Sequence, residues 1–136
     1  MEGKQPIKSY RDLIVWQKSY ALARKILAIS RNFPNNEESR IIKRQIIRSA
    51  ISIPANIAEG FGGNKGKVFK NSLTIARREA GETDYWLLLC FEEGYINEDI
   101  YKDVGERISG SKGNAFINHF KIIRICFLLS LLTIDF

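Results

Sequence analysis

The stretch SAISIPANIAEGFGG, residues 49–63, decides the fold because it places a proline inside an unbroken helical period. From Ile42 to Phe61, apolar or small residues recur every three or four positions, and this period passes through Pro54 without losing phase. A helix that ended at the proline would have no reason to stay in register beyond it. The stretch therefore predicts one helix, kinked at Pro54 and ended by the glycines that follow Glu59.

Helical periods occupy the rest of the chain as well. They predict a first helix over residues 10–32, a second helix that begins near Glu37 and contains the stretch above, and a third helix over residues 69–90. Asn97 is the expected N-cap of a fourth helix, whose period continues through residues 110–113, where two glycines favour a bend or a frayed end. The sequence therefore predicts an all-α fold, an antiparallel, up-and-down four-helix bundle.

The length of 136 residues and the 45% hydrophobic content predict one domain with its own core. We expect this domain to span residues 1–136, with an N-terminal extension over residues 1–8 and an atypical end of the fourth helix over residues 109–136.

Two apolar rows lie along the first helix, which gives it a wider apolar face than a two-helix contact needs. These rows are Leu13, Trp16, Tyr20, Ala23 and Leu27, and Val15, Leu22, Ile26 and Ile29.

Residues that carry catalytic chemistry are few. His119 is the single histidine, and Cys90 and Cys126 lie far apart without a CxxC pair. We interpret the cysteines as buried thiols in a reducing cytoplasm, and we predict no enzyme activity, no cofactor and no metal site. Carboxylates of the second and third helices are the expected ion-pair partners of nearby arginines, namely Glu59, Glu79, Glu82 and Asp84 for Arg48, Arg77 and Arg78.

Two segments of the sequence bear on the cellular location of the protein. The amino terminus, MEGKQP, lacks the apolar core of a signal peptide. The apolar run over residues 122–132 is too short, and too closely flanked by charge, for a membrane span. We therefore predict a cytoplasmic protein that does not associate with a membrane.

The segment GFGGNKGK, residues 60–67, has the composition of a phosphate-binding loop but not its pattern. The Walker motif needs a glycine where Phe61 stands and a serine or threonine where Val68 stands, and it follows a strand. We interpret the segment as a helix-to-helix loop. In this interpretation Lys65 and Lys67 are candidates for loose contacts with a phosphate backbone.

The charge of the chain is divided unevenly between its two halves. Residues 1–70 carry 14 Lys and Arg against five Asp and Glu, whereas residues 71–136 carry seven against ten, within a net charge of +6. A basic first half favours contact with a polyanion, or with an acidic surface on another copy of the same chain. Both interpretations stay open at the level of sequence.

A row of cations lies along the predicted second helix. Arg40, Arg44 and Arg48 follow one another at four-residue spacing, and Lys43 lies beside them. Like charges at this spacing repel one another on an isolated helix, so the row indicates a counter-charge supplied from elsewhere. The alternative is a solvated basic face with no ligand.

Four blocks of the sequence carry a family resemblance: YRDLIVWQK at 10–18, RSAISIPANIAEG at 48–60, IAR at 75–77 with Glu82, and GYI at 94–96. They resemble the four-helix-bundle family of 23S ribosomal RNA intervening-sequence proteins, over about residues 10–108. The resemblance implies an antiparallel four-helix bundle, commonly assembled as a homopentameric ring. A relative, the accessory variability protein of diversity-generating retroelements, binds nucleic acid and a reverse transcriptase through a basic surface.

The resemblance implies no catalytic residues, because none is established in the family. It implies structural roles for the matching motif positions in the first helix, at the kink, at the end of the second helix and in the third helix. These positions are Trp16, Pro54, Asn56, Glu59, Gly60, Arg77 and Glu82. After Ile108 the chain departs from the family pattern, in which the fourth helix is usually uninterrupted.

The sequence thus predicts a non-enzymatic homo-oligomer, a pentamer by resemblance, that binds nucleic acid, foremost RNA, through a basic surface. The predicted contact residues are Arg40, Lys43, Arg44, Arg48, Lys65 and Lys67. The alternative is a protein-interaction scaffold without a nucleic-acid role. In that case the same residues bind a protein partner or a neighbouring subunit.

Overall fold

The structure, a computed structural model, describes residues 6–62 and 66–109 together with Cys126 and Leu129. A 3-10 turn over Tyr10–Asp12 precedes four α-helices. They are α1 (Ile14–Ser30), α2 (Glu37–Gly62), α3 (Lys67–Glu92) and α4 (Glu98–Ser109). Within these described ranges the chain forms no strand, so the predicted all-α class with four helices is confirmed.

Helix α2 is continuous through Pro54, as the unbroken period predicts. Proline has no N–H to donate to the preceding turn, and polar side chains on either side of it bind carbonyls of that preceding part of the helix. Ser52 Oγ donates to the Arg48 carbonyl at 2.7 Å, and Asn56 Nδ2 donates to the Ser52 carbonyl at 2.7 Å. The continuity is therefore established, whereas the kink itself and the antiparallel course of all four helices stay predictions.

The core lies chiefly between α2 and its two neighbours, α1 and α3. Ser49 of α2 and Thr83 of α3 are buried and hydrogen-bonded to each other at 2.9 Å, while Gly60 of α2 lies against Ser72 of α3. Later residues of α2 thus contact earlier residues of α3. The large side chains that are fully buried include Leu22, Ile26, Ile46, Ile53, Ile57, Leu73, Leu87, Val104 and Ile108.

The ends of the helices follow the expected capping chemistry, with one change at the start. Ser9 and Asp12 form the reciprocal capping box, but they cap the 3-10 turn, and α1 begins only at Ile14 because Leu13 is extended. Asn97 Oδ1 accepts from the backbone N–H of Ile100 at 2.9 Å, as an N-cap does. The predicted continuation of the fourth helix through residues 110–113 lies outside the described residues.

The turn between α3 and α4 is fastened to the beginning of α2. Gly94 adopts a positive φ of 77°, which lets the chain reverse, and the Tyr95 hydroxyl donates to the Glu38 carboxylate. This hydrogen bond raises the pKa of Tyr95 to about 12.

None of the helices in the described part of the chain is long and apolar enough to cross a membrane.

Candidate nucleic-acid interface

Four of the six predicted contact residues lie together on α2. Helical spacing of four residues keeps Arg40, Arg44 and Arg48 on one side, and Lys43 joins them along an open depression of about 530 Å³. We call Arg40, Lys43, Arg44 and Arg48 the basic row. Two isoleucines, at 47 and 51, complete the lining of this depression. The cations of the row thus share one depression with two isoleucines of the same helix.

Arg48 is the member of the row whose charge is neutralised inside the molecule. Its guanidinium donates to Glu79 of α3 at 3.5 Å and also to Glu82, which accepts a further hydrogen bond from Trp86 Nε1 at 3.2 Å. The hydrogen bond from Arg48 holds the pKa of Glu82 below its ordinary value, and the same bond raises the pKa of Arg48. The ion pair expected between Arg48 and these carboxylates is therefore present.

The other three cations of the row are weakly paired or unpaired. Arg40 reaches Glu37 at 3.4 Å within the same helix, but both side chains are largely exposed, so this pair contributes little. In the described ranges, neither Lys43 nor Arg44 has a carboxylate partner within ion-pair distance. The described part of the chain thus provides no carboxylate that balances the charges of Lys43 and Arg44, although the spacing of the row predicts a counter-charge there.

Lys67 does not join the basic row. It is the first residue of α3, beyond the end of α2, and residues 48–62 of α2 span about 20 Å. Lys65 lies outside the described residues. The five predicted residues that the structure describes therefore form one cluster of four on α2 and one exposed lysine at the start of α3.

A second depression, of about 480 Å³, adjoins the basic row and follows the contact between α1 and α2. We call it the α1–α2 groove. The Trp16 and Tyr20 rings stack at 4.8 Å with an interplanar angle of 14°, and Tyr10 meets Trp16 edge-on at 5.0 Å. Besides these three rings and Ile51, its lining residues are Ala23, Arg24, Leu27, Pro54, Ala55 and Ala58. Ile51 lines both depressions, so the two surfaces are continuous.

The groove was not predicted from the sequence, because the two apolar rows of the first helix were interpreted only as one wide apolar face. The row of Val15, Leu22, Ile26 and Ile29 is buried, whereas Tyr20 of the other row is 46% exposed. A signal was present in the sequence: residues 14–30 contain three cations and no carboxylate. One of these cations, Lys25, pairs with Asp103 of α4 at 3.4 Å, and no carboxylate lies among the residues that line the groove.

The motif residues of the family have identifiable structural positions. Pro54 is buried, Asn56 binds a carbonyl of its own helix, and Gly60 closes against α3. Glu82 holds Arg48, Trp16 lines the groove, and Glu59 is exposed. The charge of Arg77 acts on Cys126, although burial raises the pKa of that thiol to about 12.

The described residues contain no cluster of three or more His, Cys, Asp or Glu side chains that could hold a metal ion. Burial raises the pKa of the Asp84 carboxyl to about 6 and that of the Cys90 thiol to about 11. A thiol with a raised pKa is a poor nucleophile at neutral pH. Neither Asp84 nor Cys90 is among the residues that line the two depressions.

Comparison with known proteins places the chain in a family. The sequence model described as 23S rRNA-intervening sequence protein matches residues 11–112. The chain belongs to this family. Among curated proteins no match is found.

A solved structure supports the membership in the 23S rRNA-intervening sequence protein family. It is a protein with unknown function from the S23 ribosomal protein family of Bacteroides thetaiotaomicron, with 28% sequence identity and a TM-score of 0.71. The alignment covers 86% of this chain and 98% of that one. That relative is itself described as having unknown function.

Proposed function

We propose that this chain is a non-enzymatic, cytoplasmic helical-bundle protein that assembles as a homo-oligomer and binds nucleic acid, foremost RNA, through the basic row of α2. The observation that carries the proposal is the pair Lys43 and Arg44, which lie in one depression without a carboxylate partner among the described residues. A phosphate backbone supplies the missing counter-charges. The membership in a family named for intervening sequences of 23S rRNA is consistent with RNA as the ligand.

The members of the row have different roles in this proposal. Lys43 and Arg44 contact phosphates directly, and Arg40 exchanges its exposed partner Glu37 for a phosphate. Arg48 chiefly ties α2 to α3 through Glu79 and Glu82 and adds positive potential at the edge. Lys65 and Lys67 are secondary contacts for a longer strand.

Salt dependence of RNA binding tests the proposal. Each phosphate contact adds about 0.7 to 0.9 to the slope of log affinity against log salt concentration. We expect a slope of about −2 to −3 for wild type, and a slope smaller by about 1 for Arg44→Gln. Fluorescence anisotropy with a labelled RNA between 50 and 200 mM KCl measures both.

The matched control is Arg78→Gln, which removes one exposed positive charge from α3 outside the depression. It lowers the net charge equally and leaves the basic row intact, so we expect an unchanged slope. Equal effects of the two substitutions would mean that only the net charge matters and would contradict the assignment to the row.

A protein-interaction scaffold is the second candidate function, and a specific observation favours it. The Ile51 side chain lies in the same depression as the cations and is 44% exposed, and Ile47 lines that depression as well. Exposed isoleucines are unusual on a surface that binds only phosphate. Charge also permits contact between copies, because α4 carries four carboxylates against two cations while residues 14–30 of α1 carry cations only. Within one chain, Lys25 of α1 already pairs with Asp103 of α4 at 3.4 Å, so the remaining charges are those available to a neighbouring copy.

Light scattering combined with RNA retention separates the two candidates. If Arg40→Gln with Arg44→Gln abolishes RNA retention and preserves the oligomer, nucleic-acid binding is supported. If the same double variant retains RNA and dissociates the oligomer, the scaffold is the correct function. The expected wild-type assembly is a pentamer, which the molar mass tests directly.

A further inference from the structure

We infer that the α1–α2 groove receives the unstacked bases of a single-stranded nucleic acid whose phosphates lie on the basic row; this inference rests on the proposed function. It goes further by specifying the strandedness of the ligand and the residues that contact its bases. Three observations carry it: a partly exposed aromatic stack, a continuous surface that joins this stack to the cations, and the absence of carboxylates from that surface.

The aromatic stack is already arranged as a base would require. The Trp16 and Tyr20 rings are nearly parallel, at 14° and 4.8 Å, and Tyr20 is 46% exposed. An incoming base that lies on the exposed face of Tyr20 therefore extends an existing stack. Because Trp16 already orders the phenol ring, little side-chain entropy remains to be lost when the base arrives.

The groove and the basic row form one surface. Ile51 lines both depressions, and the adjoining parts of α2 extend from Arg40 to Ala58, about 27 Å. This length accommodates a strand at the short end of the roughly 4–16 nucleotides that single-strand-binding surfaces cover. Phosphates on the row and bases in the groove thus belong to the same short strand.

The charge of the lining favours a polyanion over an acidic or neutral helix. None of the side chains that line either depression is a carboxylate, and Arg24 adds a cation one helical turn beyond Tyr20. By contrast, the depression between α1 and α4 has a mixed lining, in which Asp103 and Glu106 lie beside Lys18 and Arg107. A positive rim beside exposed aromatic rings is the combination that single-stranded nucleic acids bind.

A duplex does not fit this arrangement. In a double helix the faces of the bases are stacked on one another, so aromatic side chains cannot reach them, and only phosphates and groove edges remain for contact. The groove therefore predicts a preference for single strands over duplexes, whereas the basic row alone predicts none.

The test compares Tyr20→Leu with Tyr85→Leu. Both tyrosines are more than 40% exposed and each contacts a tryptophan, but Tyr85 lies on α3 outside both depressions. The probes are a 12-nucleotide oligouridylate and a 12-base-pair RNA duplex. We expect Tyr20→Leu to weaken binding of the single strand by about 5- to 150-fold, the range for one base–aromatic stack, without changing the salt slope.

Duplex binding by Tyr20→Leu and all binding by Tyr85→Leu should stay unchanged. Tryptophan fluorescence gives an independent readout in a Trp86→Phe background, where Trp16 is the single tryptophan. We expect oligouridylate to quench this emission and the duplex to leave it unaltered. Circular dichroism confirms that each variant is folded.

Failure of the inference is distinguishable from failure of the proposed function. If Arg44→Gln weakens RNA binding while Tyr20→Leu does not, and Trp16 emission is unaffected, the basic row binds nucleic acid and the groove does not bind bases. If Tyr20→Leu instead dissociates the oligomer and leaves RNA binding intact, the groove is a contact between copies. If wild type binds neither RNA, the proposed function itself is wrong and the inference with it.

Discussion

Gly60 of α2 lies so close to Ser72 of α3 that a Cβ atom built on the glycine would stand 2.3 Å from Ser72 Cβ. The helices can approach in this way only because glycine has no side chain. The glycine of the family block SIPANIAEG is therefore explained by packing, and it has an ordinary helical φ rather than a positive one.

We predict that Gly60→Ala destabilises the protein by about 1–3 kcal/mol, because α2 and α3 must separate to admit the methyl group. The Cβ of Ser72 is part of its helix and cannot rotate away. Urea denaturation monitored by circular dichroism measures the free energy of unfolding. Gly105→Ala is the control, since nothing lies within 4 Å of a Cβ there and the change should stabilise α4 by up to about 1 kcal/mol.

The ion pair between Arg48 and the carboxylates of α3 predicts a second effect on stability. Removing the guanidinium by Arg48→Gln leaves Glu79 and Glu82 near each other without their shared cation. We expect a loss of about 1 kcal/mol at pH 7, a value discounted because the Arg48 side chain is 48% exposed. Arg40→Gln is the matched control on the same helix, and its exposed pair with Glu37 should be worth less than half of that.

The pH dependence of this ion pair has a definite sign. Because the pKa of Glu82 is lowered in the folded state, its contribution is complete above the ordinary glutamate pKa of about 4.3 and is lost as the pH falls through the lower folded value. The stability difference between wild type and Arg48→Gln should therefore shrink below pH 4. A difference that stays constant down to pH 2 would argue against the ion pair as its source.

Asp84 predicts the opposite pH dependence. Burial raises its pKa to about 6, so the folded state binds a proton that the unfolded state releases at lower pH. Ionisation of Asp84 therefore costs stability as the pH rises from about 4 to above 6. We expect Asp84→Asn to stabilise the protein by about 1 kcal/mol at pH 8, discounted for partial exposure, and to have little effect at pH 4.

Thermal unfolding at the two pH values checks this. Equal effects at pH 4 and pH 8 would mean that the substitution acts through packing or hydrogen bonding rather than through charge. Tyr101 offers a second readout, because burial raises the pKa of its phenol and the charge of Asp84 raises it further. In Asp84→Asn the phenol of Tyr101 should titrate at a lower pH.

The architecture could be predicted from sequence where local chemistry determines it. The apolar period carries α2 through Pro54, and Asn97 marks where α4 begins. These signals lie within a few residues of the structure that they determine. These local signals can therefore be interpreted from the order of residues alone, without knowledge of the tertiary contacts.

The candidate site could be predicted only in part, because it depends on how each helix is rotated about its axis. Both rows of α1 are apolar enough to be buried, and the pattern along one helix does not say that Ala23 is buried while Tyr20 of the same row is exposed beside the groove. The four-residue spacing does predict that Arg40 and Arg44 lie on the same face of α2. It could not show that Arg48 turns toward α3, since its partners are more than 30 positions away in sequence.

The separation of Lys67 from the basic row predicts a dependence on RNA length. Because about 20 Å of α2 lie between Arg48 and the start of α3, a short strand bound at the row does not reach Lys67. We expect Lys67→Gln to leave binding of a 6-nucleotide oligouridylate unchanged and to weaken binding of a 30-nucleotide strand, with a salt slope smaller by about 0.7. Arg44→Gln should weaken binding of both strands. If Lys67→Gln weakens binding of the 6-nucleotide strand as much as Arg44→Gln does, the two basic regions must meet, and the contact between them has to come from a neighbouring copy.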